Sequence, residues 1–259
     1  MEPVLVSLEA GVLRVTLNRP EKLNAFNPDI HKGLAAAMTR AEGEAEARCM
    51  LITGAGRGFC AGQDLGERDM KAAAIDLGSG LDTWYNPLVK RMRSLPKPIV
   101  CAVNGVAAGA GANFALACDI VLAARSASFI QAFVKIGLVP DCGGSYFLPR
   151  LAGTQRAMAL AMTGDRLSAE DAERWGLIWK CVDDADLKKE SEKLSLQLAS
   201  GPTRSIGLIK KAIYSSANND LSAQLDMERD LQREVGKGED YREGVAAFLE
   251  KRRPEFKGR

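Results

Sequence analysis

Three glycine-rich segments carry the residues that are best suited to chemistry. Asp141 lies in residues 137–144, and it is the one carboxylate that glycine-rich surroundings place at a predicted reacting centre. Two earlier segments, 58–65 and 104–111, each follow an apolar run that predicts a buried strand. Because glycine and alanine leave backbone N–H groups unshielded, both loops can converge on one oxygen that becomes negative during reaction. One acid with two amides predicts a proton shuttle.

Each feature also has a plain structural interpretation. Glycine-rich loops after strands are commonly tight turns. Asp141 follows Pro140 and precedes Gly143, so it could simply cap the next helix, a frequent role for aspartate. We interpret Asp64 and Asp119 as turn or strand-end residues and assign neither of them acid–base work. The two loops and Asp141 together favour the catalytic interpretation.

Other common site patterns fail on spacing. Segment 109–111 is followed by Phe114, and segment 54–56 by Phe59, where a dinucleotide-binding GxGxxG motif needs glycine or alanine. The sequence contains no GxxxxGK[ST] phosphate loop. The sole histidine, His31, is predicted on the exposed side of an amphipathic helix. A histidine-dependent catalytic triad is therefore not expected.

Composition limits the class of protein. A chain of 259 residues, 46% hydrophobic and 26% charged, fits one large globular domain with a helical appendage. A net charge of +2 gives no reason to invoke nucleic acid. Six cysteines without CxxC spacing predict reduced thiols and neither a metal site nor a disulfide framework. The chain opens directly into a strand-like run and has no long apolar stretch, so we expect a cytoplasmic protein without a membrane segment.

Hydrophobic periodicity predicts alternating strands and helices in the first two thirds of the chain. Residues 4–6 and 13–17 should form a hairpin, and Asn27 before Pro28 is typical of a helix start. Short apolar runs predict covered strands, and helical segments are expected between them; these runs are 50–52, 99–103 and 120–122, and the helices lie around 83–94 and 110–117. Residues 70–80 could form a mobile flap over a pocket.

From Gly164 onward, strand signals fade and a mainly helical last third is predicted. Ser168 with Asp171 resembles a capping box, and a further helix is expected to begin at residues 202–203. The last helix, 241–250, places one apolar stripe on its surface: Tyr241, Val245 and Phe248. The charged tail beyond it could dock on a neighbouring subunit or remain frayed.

Motifs across nearly the whole chain resemble the enoyl-CoA hydratase/isomerase (crotonase) superfamily. The matching segments are 18–25, 58–65, 102–120, 137–144 and 148–150. The resemblance implies an α/β fold with a spiral of ββα units, residues 1–195, followed by a C-terminal helical trimerisation region, residues 196–259. It also implies an acyl-coenzyme A substrate and a homotrimer or a hexamer made of two trimers. No separate cofactor or metal is implied, since coenzyme A belongs to the substrate.

The same resemblance assigns roles to individual residues. The backbone N–H groups of Gln63 and Ala110 would form an oxyanion hole, with Gly109 in close support, and Asp141 would be the acid–base group. A strip that would hold the nucleotide and pantetheine comprises Lys22, Ala25, Ala61, Gly62, Asp64 and Leu65. The tail residues Phe256 and Lys257 match positions that often contact the adenine or phosphate bound to a neighbouring subunit.

The reaction is less strongly implied than the fold. Hydratases of this family carry two glutamates that position a water, and the matching residues here are Asn113 and Phe133. Hydration is therefore not expected as the main activity. The closer resemblance is to members that convert a ring epoxide, held as a coenzyme A thioester, into an oxepin. The alternatives are a general Δ3,Δ2-enoyl-CoA isomerase of fatty acid metabolism and, with less support, a hydratase or a non-catalytic scaffold that binds coenzyme A.

Overall fold

Short apolar strands form two β-sheets in the computed structural model, which describes residues 2–67 and 76–259. The strands are β1 (Val4–Glu9), β2 (Val12–Leu17), β3 (Cys49–Gly54), β4 (Gly58–Cys60), β5 (Ile99–Val103), β6 (Val106–Ala108), β7 (Ile120–Ala124), β8 (Ser128–Ile130), β9 (Arg166–Ser168) and β10 (Lys180–Val182). One sheet has the order β1-β2-β3-β5-β7-β10, and the other has the order β4-β6-β8-β9.

Successive turns of the chain each give one strand to each sheet. β3, β5 and β7 pair in parallel in the first sheet, and β4, β6 and β8 do so in the second. Ile52 therefore lies opposite Cys101, and Cys101 lies opposite Val121. The predicted N-terminal hairpin is confirmed, since β1 and β2 are antiparallel with Val6 opposite Val15. This is the predicted α/β spiral of ββα units.

Helices lie between the strands along the chain, and the region after β10 is helical. They are α1 (Pro28–Gly43), α2 (Leu77–Gly80), α3 (Asn86–Ser94), α4 (Ala110–Leu116), α5 (Gly144–Ala152), α6 (Thr154–Thr163), α7 (Ala169–Arg174), α8 (Leu187–Ala199), α9 (Thr203–Ser215), α10 (Leu221–Val235) and α11 (Glu239–Glu250). A single π-helical turn, Leu81–Tyr85, leads into α3. Of the segment predicted to be a flap, residues 70–75 lie outside the described residues, and its end forms α2.

Local signals place the helix starts where they were predicted. The side chain of Asn27 accepts a 3.0 Å hydrogen bond from the Ile30 N–H, and Pro28 is the first residue of α1. The Ser168 hydroxyl accepts a 3.1 Å hydrogen bond from the Asp171 N–H at the start of α7. Both predicted caps are therefore confirmed.

The core lies between the first sheet and the helices that cover it. β5 is buried at every position, which explains its uninterrupted apolar sequence. At the ends of β5 and β7, Asp119 accepts a 2.7 Å hydrogen bond from the Ile99 N–H and forms a 2.9 Å ion pair with Lys210. Asp119 is thus a structural strand-end residue, as predicted.

The last third of the chain is mainly helical, as predicted, but it also contains two short strands. β9 pairs with β8 in antiparallel orientation, and β10 pairs with β7 in parallel orientation. Each of the two has only three residues, too few for a hydrophobic period to register. The boundary at residue 195 stays a prediction, and it would fall inside α8. Across the described ranges, no helix is long and apolar enough to cross a membrane.

Candidate active site

The two predicted glycine-rich loops lie against each other. A side chain on Gly62 would place its Cβ 2.8 Å from the carbonyl oxygen of Ala108 and 3.5 Å from the backbone nitrogen of Ala110. The first distance is shorter than real contacts allow, and Gly62 also has φ +91°, which disfavours other residues. Glycine at this position therefore brings Gln63 close to Ala110.

Gln63 and Ala110 each present a backbone N–H at this junction. Ala110 is the first residue of α4, so its N–H has no partner inside the helix. Beside Gln63, the Phe26 N–H donates to the Gly62 carbonyl at 2.7 Å, and the Asp64 N–H donates to the Phe26 carbonyl at 2.8 Å. The intervening Gln63 N–H takes no part in this bridge. Within residues 2–67 and 76–259, neither the Gln63 nor the Ala110 N–H donates to a protein acceptor.

The backbone at Gly109 sets the direction of the second donor. Gly109 has φ +53° and ψ −128°, a combination that side-chain-bearing residues rarely adopt. Its N–H donates to the Ile130 carbonyl at 2.8 Å, which ties the loop to β8. The helix then begins at Ala110, with its N-terminal amides directed away from the helix body. Two backbone donors next to a helix N-terminus can stabilise a developing oxyanion.

Asp141 lies at the turn that leads into α5. The two residues after it have positive φ, with +50° for Cys142 and +79° for Gly143. The N-cap of α5 is Gly143, with no side-chain cap, and the Gly144 N–H donates to the Asp141 carbonyl at 2.8 Å. The N-cap position is therefore occupied by Gly143, and the Asp141 carbonyl accepts a hydrogen bond at the start of this helix. Oδ1 of Asp141 is shielded from solvent, although the residue as a whole is only half-buried.

The two positions that match the hydratase glutamates are apolar or neutral here. Phe133 is buried, with its Cζ 3.8 Å from where a Cβ on Gly109 would lie, so its ring packs beside the second glycine-rich loop. Asn113 is fully buried on α4. Beside Asp141, burial and, to a lesser degree, the nearby carboxylate raise the pKa of the Cys142 thiol well above its ordinary value. Cys142 is therefore unsuited to act as a thiolate nucleophile.

The predicted coenzyme A strip is one continuous feature. The Ala61 N–H donates to the Leu23 carbonyl at 3.0 Å, which aligns residues 22–26 with residues 61–65. Lys22 is exposed at one end of this strip, and Leu65 is exposed at the other. Ala25 and Gly62 are buried, and Ala61 is half-buried. The structure thus brings together all six strip residues predicted from the sequence.

The Asp64 carboxylate has a structural role within the strip. It forms a 3.0 Å ion pair with Arg19, and it accepts a 3.1 Å hydrogen bond from the Gly66 N–H. Arg19 also donates to the Ala25 carbonyl at 2.9 Å. Both charges are mostly buried, and a buried charge needs a partner of opposite sign. The ion pair also holds the two halves of the strip together.

Sequence reasoning missed Asn24, which links three loops. Its Nδ2 donates to the carbonyls of Ala55 and Gly58 at 2.9 and 2.8 Å, and its Oδ1 accepts from the Arg19 N–H at 2.8 Å. Asn24 is fully buried and has φ +57°, a conformation that asparagine tolerates better than most residues. The available signal was an asparagine between the apolar residues Leu23 and Ala25.

The tail residues Phe256 and Lys257 contact α11 and Arg48 rather than the predicted coenzyme A strip. The Phe256 ring faces Gly244 on α11, and its carbonyl accepts a 3.1 Å hydrogen bond from Arg48. The Lys257 N–H donates to Asp240 at 2.7 Å. The tail was predicted to dock on a neighbouring subunit or to remain frayed; the structure shows instead that it packs against its own chain. Any contribution of Phe256 or Lys257 to a bound nucleotide stays a prediction that requires a neighbouring subunit.

The prediction that His31 is exposed is wrong. Its ring is 4% exposed and is stacked between Phe26 and Trp84, with centroids 5.1 and 5.4 Å away. Tyr85 meets the same ring edge-on at 4.6 Å. Burial lowers the pKa of His31 from 6.5 to about 4. The imidazole is therefore neutral near pH 7 and is part of the aromatic packing behind the Gln63 loop.

Among the residues whose positions are described, no group of three or more His, Cys, Asp or Glu side chains is arranged to hold a metal ion. All six cysteines are free, and burial raises the pKa of Cys60 to about 12.

This fold and this site define a known enzyme family. Residues 7–259 match the enoyl-CoA hydratase/isomerase family, and the chain belongs to it. The chain is 56% identical to the 1,2-epoxyphenylacetyl-CoA isomerase of Escherichia coli strain K12, over all of both chains. It is 48% identical to a probable enoyl-CoA hydratase of Rhodobacter capsulatus, covering 97% of this chain and 96% of that one.

Solved structures agree with this membership. The structure of an enoyl-CoA hydratase from Bacillus anthracis superposes with a TM-score of 0.93 at 33% identity, covering 99% of this chain and all of that one. The protein is thus an enzyme of the crotonase superfamily with an isomerase or hydratase function. Members of this family act on acyl-coenzyme A substrates.

Proposed function

We propose that this enzyme converts 2-(1,2-epoxy-1,2-dihydrophenyl)acetyl-CoA into its oxepin isomer, a step of phenylacetate degradation. The observation that carries the proposal is the position of Asp141, whose carbonyl accepts a hydrogen bond from Asn113 on α4; among the described residues, Asn113 and Phe133 supply no second carboxylate. The 56% identity to the Escherichia coli isomerase over the full chain supports the choice of substrate.

The oxyanion hole would stabilise the charge that develops on the thioester. When a proton leaves the carbon beside the carbonyl, the thioester oxygen becomes enolate-like and accepts hydrogen bonds from the N–H groups of Gln63 and Ala110. Removing one donor of this kind typically costs about 3 to 4 kcal/mol of transition-state stabilisation. Because neither N–H has another acceptor in the part of the chain that the structure describes, both are available to the substrate.

Asp141 would carry the proton in both directions. It removes the proton beside the carbonyl and returns it elsewhere in the conjugated system, while the double bonds shift and the carbon–carbon bond shared by the oxirane and the six-membered ring opens. No atom is gained or lost, and no net oxidation occurs, so the proposed reaction requires no cofactor. Positioned acid–base catalysis contributes roughly a hundred- to ten-thousand-fold.

The same residues disfavour hydration. Adding water across a conjugated double bond needs one group to activate the water and another to protonate carbon. An asparagine amide and a phenyl ring can do neither near neutral pH. We therefore expect slow hydration of crotonyl-CoA compared with isomerisation of the ring epoxide.

Other features of the chain support coenzyme A binding, a reducing compartment and assembly into oligomers. The exposed Lys22 ammonium at the end of the strip suits a phosphate of coenzyme A, and it forms no ion pair with a described residue. Six free cysteines fit a reducing compartment such as the cytoplasm. The exposed apolar stripe on α11 supports assembly into trimers or hexamers.

Product analysis tests the proposal directly. The enzyme is incubated with the epoxide thioester, and the product is examined by mass spectrometry and ultraviolet absorption. The expected product has an unchanged mass and the absorption of an oxepin. A product heavier by one water would indicate hydration, and an unchanged substrate would refute the proposed reaction. Faster turnover of a straight-chain 3-enoyl-CoA would indicate the general isomerase instead.

A further inference from the structure

Two buried amide side chains, one on α4 and one directly after β8, are linked by hydrogen bonds to the backbone of Asp141. Nδ2 of Asn113 donates a 2.8 Å hydrogen bond to the carbonyl of Asp141. Oδ1 of Asn113 accepts a 2.9 Å hydrogen bond from Nε2 of Gln131. Asn113 is 0% exposed and Gln131 is 2% exposed. The result is a relay of two hydrogen bonds from Gln131, the residue that follows β8, through Asn113 on α4 to Asp141.

The Asp141 carbonyl determines how both side-chain amides are oriented. A carbonyl oxygen only accepts hydrogen bonds, so Asn113 must present its NH₂ group to Asp141. Its oxygen then faces Gln131, which must present its own NH₂ group in turn. Rotating either amide by half a turn would bring two acceptors or two donors together.

The backbone at Asp141 is one that needs such support. Cys142 has φ +50° without being glycine, a strained conformation that persists only where the surroundings hold it. The Asp141 carbonyl accepts from the Gly144 N–H as well as from Asn113, so two donors hold one peptide group. A methyl group on Gly144 would collide with the Asn113 amide nitrogen, so glycine there leaves room for the contact.

Stability alone does not explain Gln131. In the described residues, its buried Oε1 accepts no hydrogen bond. A buried acceptor left in this state costs free energy, and an apolar side chain of similar length would avoid that cost. The hydrogen bond that stabilises the Gln131 side-chain amide is therefore the one that its NH₂ group donates to Asn113.

We propose that Asn113 and Gln131 are positioning residues that fix the main chain of Asp141 and thereby aim its carboxylate at the substrate. The inference rests on the proposed function, because it acts through the proton transfer assigned to Asp141. Asn113 touches the carbonyl of Asp141 rather than its carboxylate, so the predicted effect is on the rate of chemistry and not on thioester binding.

Asn113→Leu tests the first step of the relay. Leucine has a similar shape but no donor, and misplacing a catalytic group by an ångström can lower kcat by about 100-fold. The dissociation constant of acetyl-CoA should stay within about threefold of the wild-type value. Asn219→Leu is the matched control, because Asn219 is half-buried and donates a 3.0 Å hydrogen bond to Gln224 outside this site. A folded Asn113→Leu enzyme with wild-type kcat overturns the proposal.

Gln131→Met tests the hydrogen bond from Gln131 to Asn113. It also keeps the proposal testable if Asn113→Leu does not fold. We expect kcat to fall by about tenfold while the thermal midpoint is unchanged or higher, because the unsatisfied buried acceptor is removed. A merely structural glutamine would give the reverse, a lower midpoint with normal kcat, and that result overturns the proposal. Gln224→Met, which removes a 3.2 Å hydrogen bond to the Ala212 carbonyl, is the control.

A double variant separates this inference from the proposed function. Added to Asp141→Asn, Asn113→Leu should cause no further loss, since residues that act through one group are not additive. If Asp141→Asn alone keeps its activity, the proposed function fails. If Asp141→Asn is inactive and both relay variants are normal, only the relay fails.

Discussion

The phenol of Tyr85 donates a 2.7 Å hydrogen bond to Oε1 of Gln63. The Gln63 side chain is held at its other end too, since Nε2 donates to the Phe26 carbonyl at 3.1 Å. The residue whose backbone N–H faces the proposed oxyanion is thus fixed through its side chain. Tyr85 lies in the π-helical turn before α3, so this turn contributes to the position of the loop that carries Gln63.

Tyr85→Phe should lower kcat by roughly fivefold and leave thioester binding nearly unchanged. One neutral hydrogen bond is worth about 1 kcal/mol, and its loss frees the Gln63 side chain without removing the N–H itself. Steady-state kinetics with the epoxide thioester measure the effect. Tyr241→Phe is the control, because the exposed Tyr241 hydroxyl has no hydrogen bond in the described structure. Equal kcat for both variants would show that Tyr85 does not support the loop.

Gly109→Ala should impair the second oxyanion donor through backbone strain rather than collision. A Cβ at Gly109 would meet only Phe133, at an ordinary 3.8 Å, but φ of +53° disfavours alanine by about 1 to 3 kcal/mol. Relief of that strain rotates the Ala110 N–H away from the oxygen. We expect kcat to fall about 100-fold, as when an oxyanion donor is lost.

Gly153→Ala separates strain from catalysis. Gly153 has φ +81°, and nothing lies within 4 Å of an added Cβ, so this variant should lose a similar amount of stability. It lies between α5 and α6, and its kcat should remain normal. If the two variants show the same loss of kcat per folded molecule, Gly109 has no special role at the site.

Backbone features of the site are predicted from sequence better than its side-chain partners. Gly62 and Gly109 mark positions where local conformation demands glycine, and such demands are visible in a single segment. Asn113 meets Asp141 from 28 positions away and Gln131 from 18, and nothing local encodes either contact. Partners of this kind depend on how the strands and helices of different turns stack.

The burial of His31 was not predicted from the sequence for a different reason. Its position three residues before Leu34 places it near the buried face of α1, so helical spacing permitted burial. Its polarity led to the opposite prediction. The aromatic ring of Trp84, which arrives from a distant turn, covers one side of the imidazole and makes burial possible. A polar side chain with an aromatic ring can be buried among other aromatic rings, and the sequence does not reveal which rings will surround it.

His31→Phe should remove a component of acid sensitivity from the fold. The folded-state pKa of about 4 lies below the unfolded value of 6.5, so the unfolded chain binds the proton first as pH falls. Stability is therefore lost as pH falls from about 6.5 to 4, and the loss levels off below that range. Between pH 7 and pH 5 this contribution is about 2 kcal/mol.

Urea unfolding at both pH values measures this difference. The wild type should lose about 2 kcal/mol more than His31→Phe, in which a phenyl ring can occupy the same stack. Carboxylates are common to both proteins, and His31 is the sole histidine, so other groups cancel in the comparison. An identical loss in both proteins would contradict burial of a neutral imidazole.

The apolar face of the C-terminal helices should bury itself in a homotrimer or hexamer. Phe248 is 82% exposed and Leu249 is 73% exposed, beside an apolar groove of about 640 Å³ between α9, α10 and α11. Exposed apolar surface of this kind commonly marks a protein interface. Light scattering should give a mass of three or six chains for the wild type and smaller species for Phe248→Asp.

Ala36→Asp controls for the added charge, because Ala36 is exposed on α1 and lies outside this face. It should leave the assembly intact. A wild-type protein that remains monomeric at micromolar concentration would refute the predicted assembly. It would also remove the neighbouring subunit that Phe256 and Lys257 need for any contact with nucleotide.

The turnover of Asp141→Asn tests the single-carboxylate mechanism most directly. Asparagine keeps the shape and leaves the backbone carbonyl that serves the α5 turn unchanged, but it cannot carry a proton. Asp220→Asn is the control, since the Asp220 carboxylate caps α10 with a 2.8 Å bond from the Ala223 N–H and asparagine caps equally well. We predict that Asp141→Asn loses at least about 100-fold in kcat, with normal stability and thioester binding, while Asp220→Asn is fully active. Turnover of Asp141→Asn within a few-fold of the wild type would contradict the assignment of Asp141 as the acid–base group.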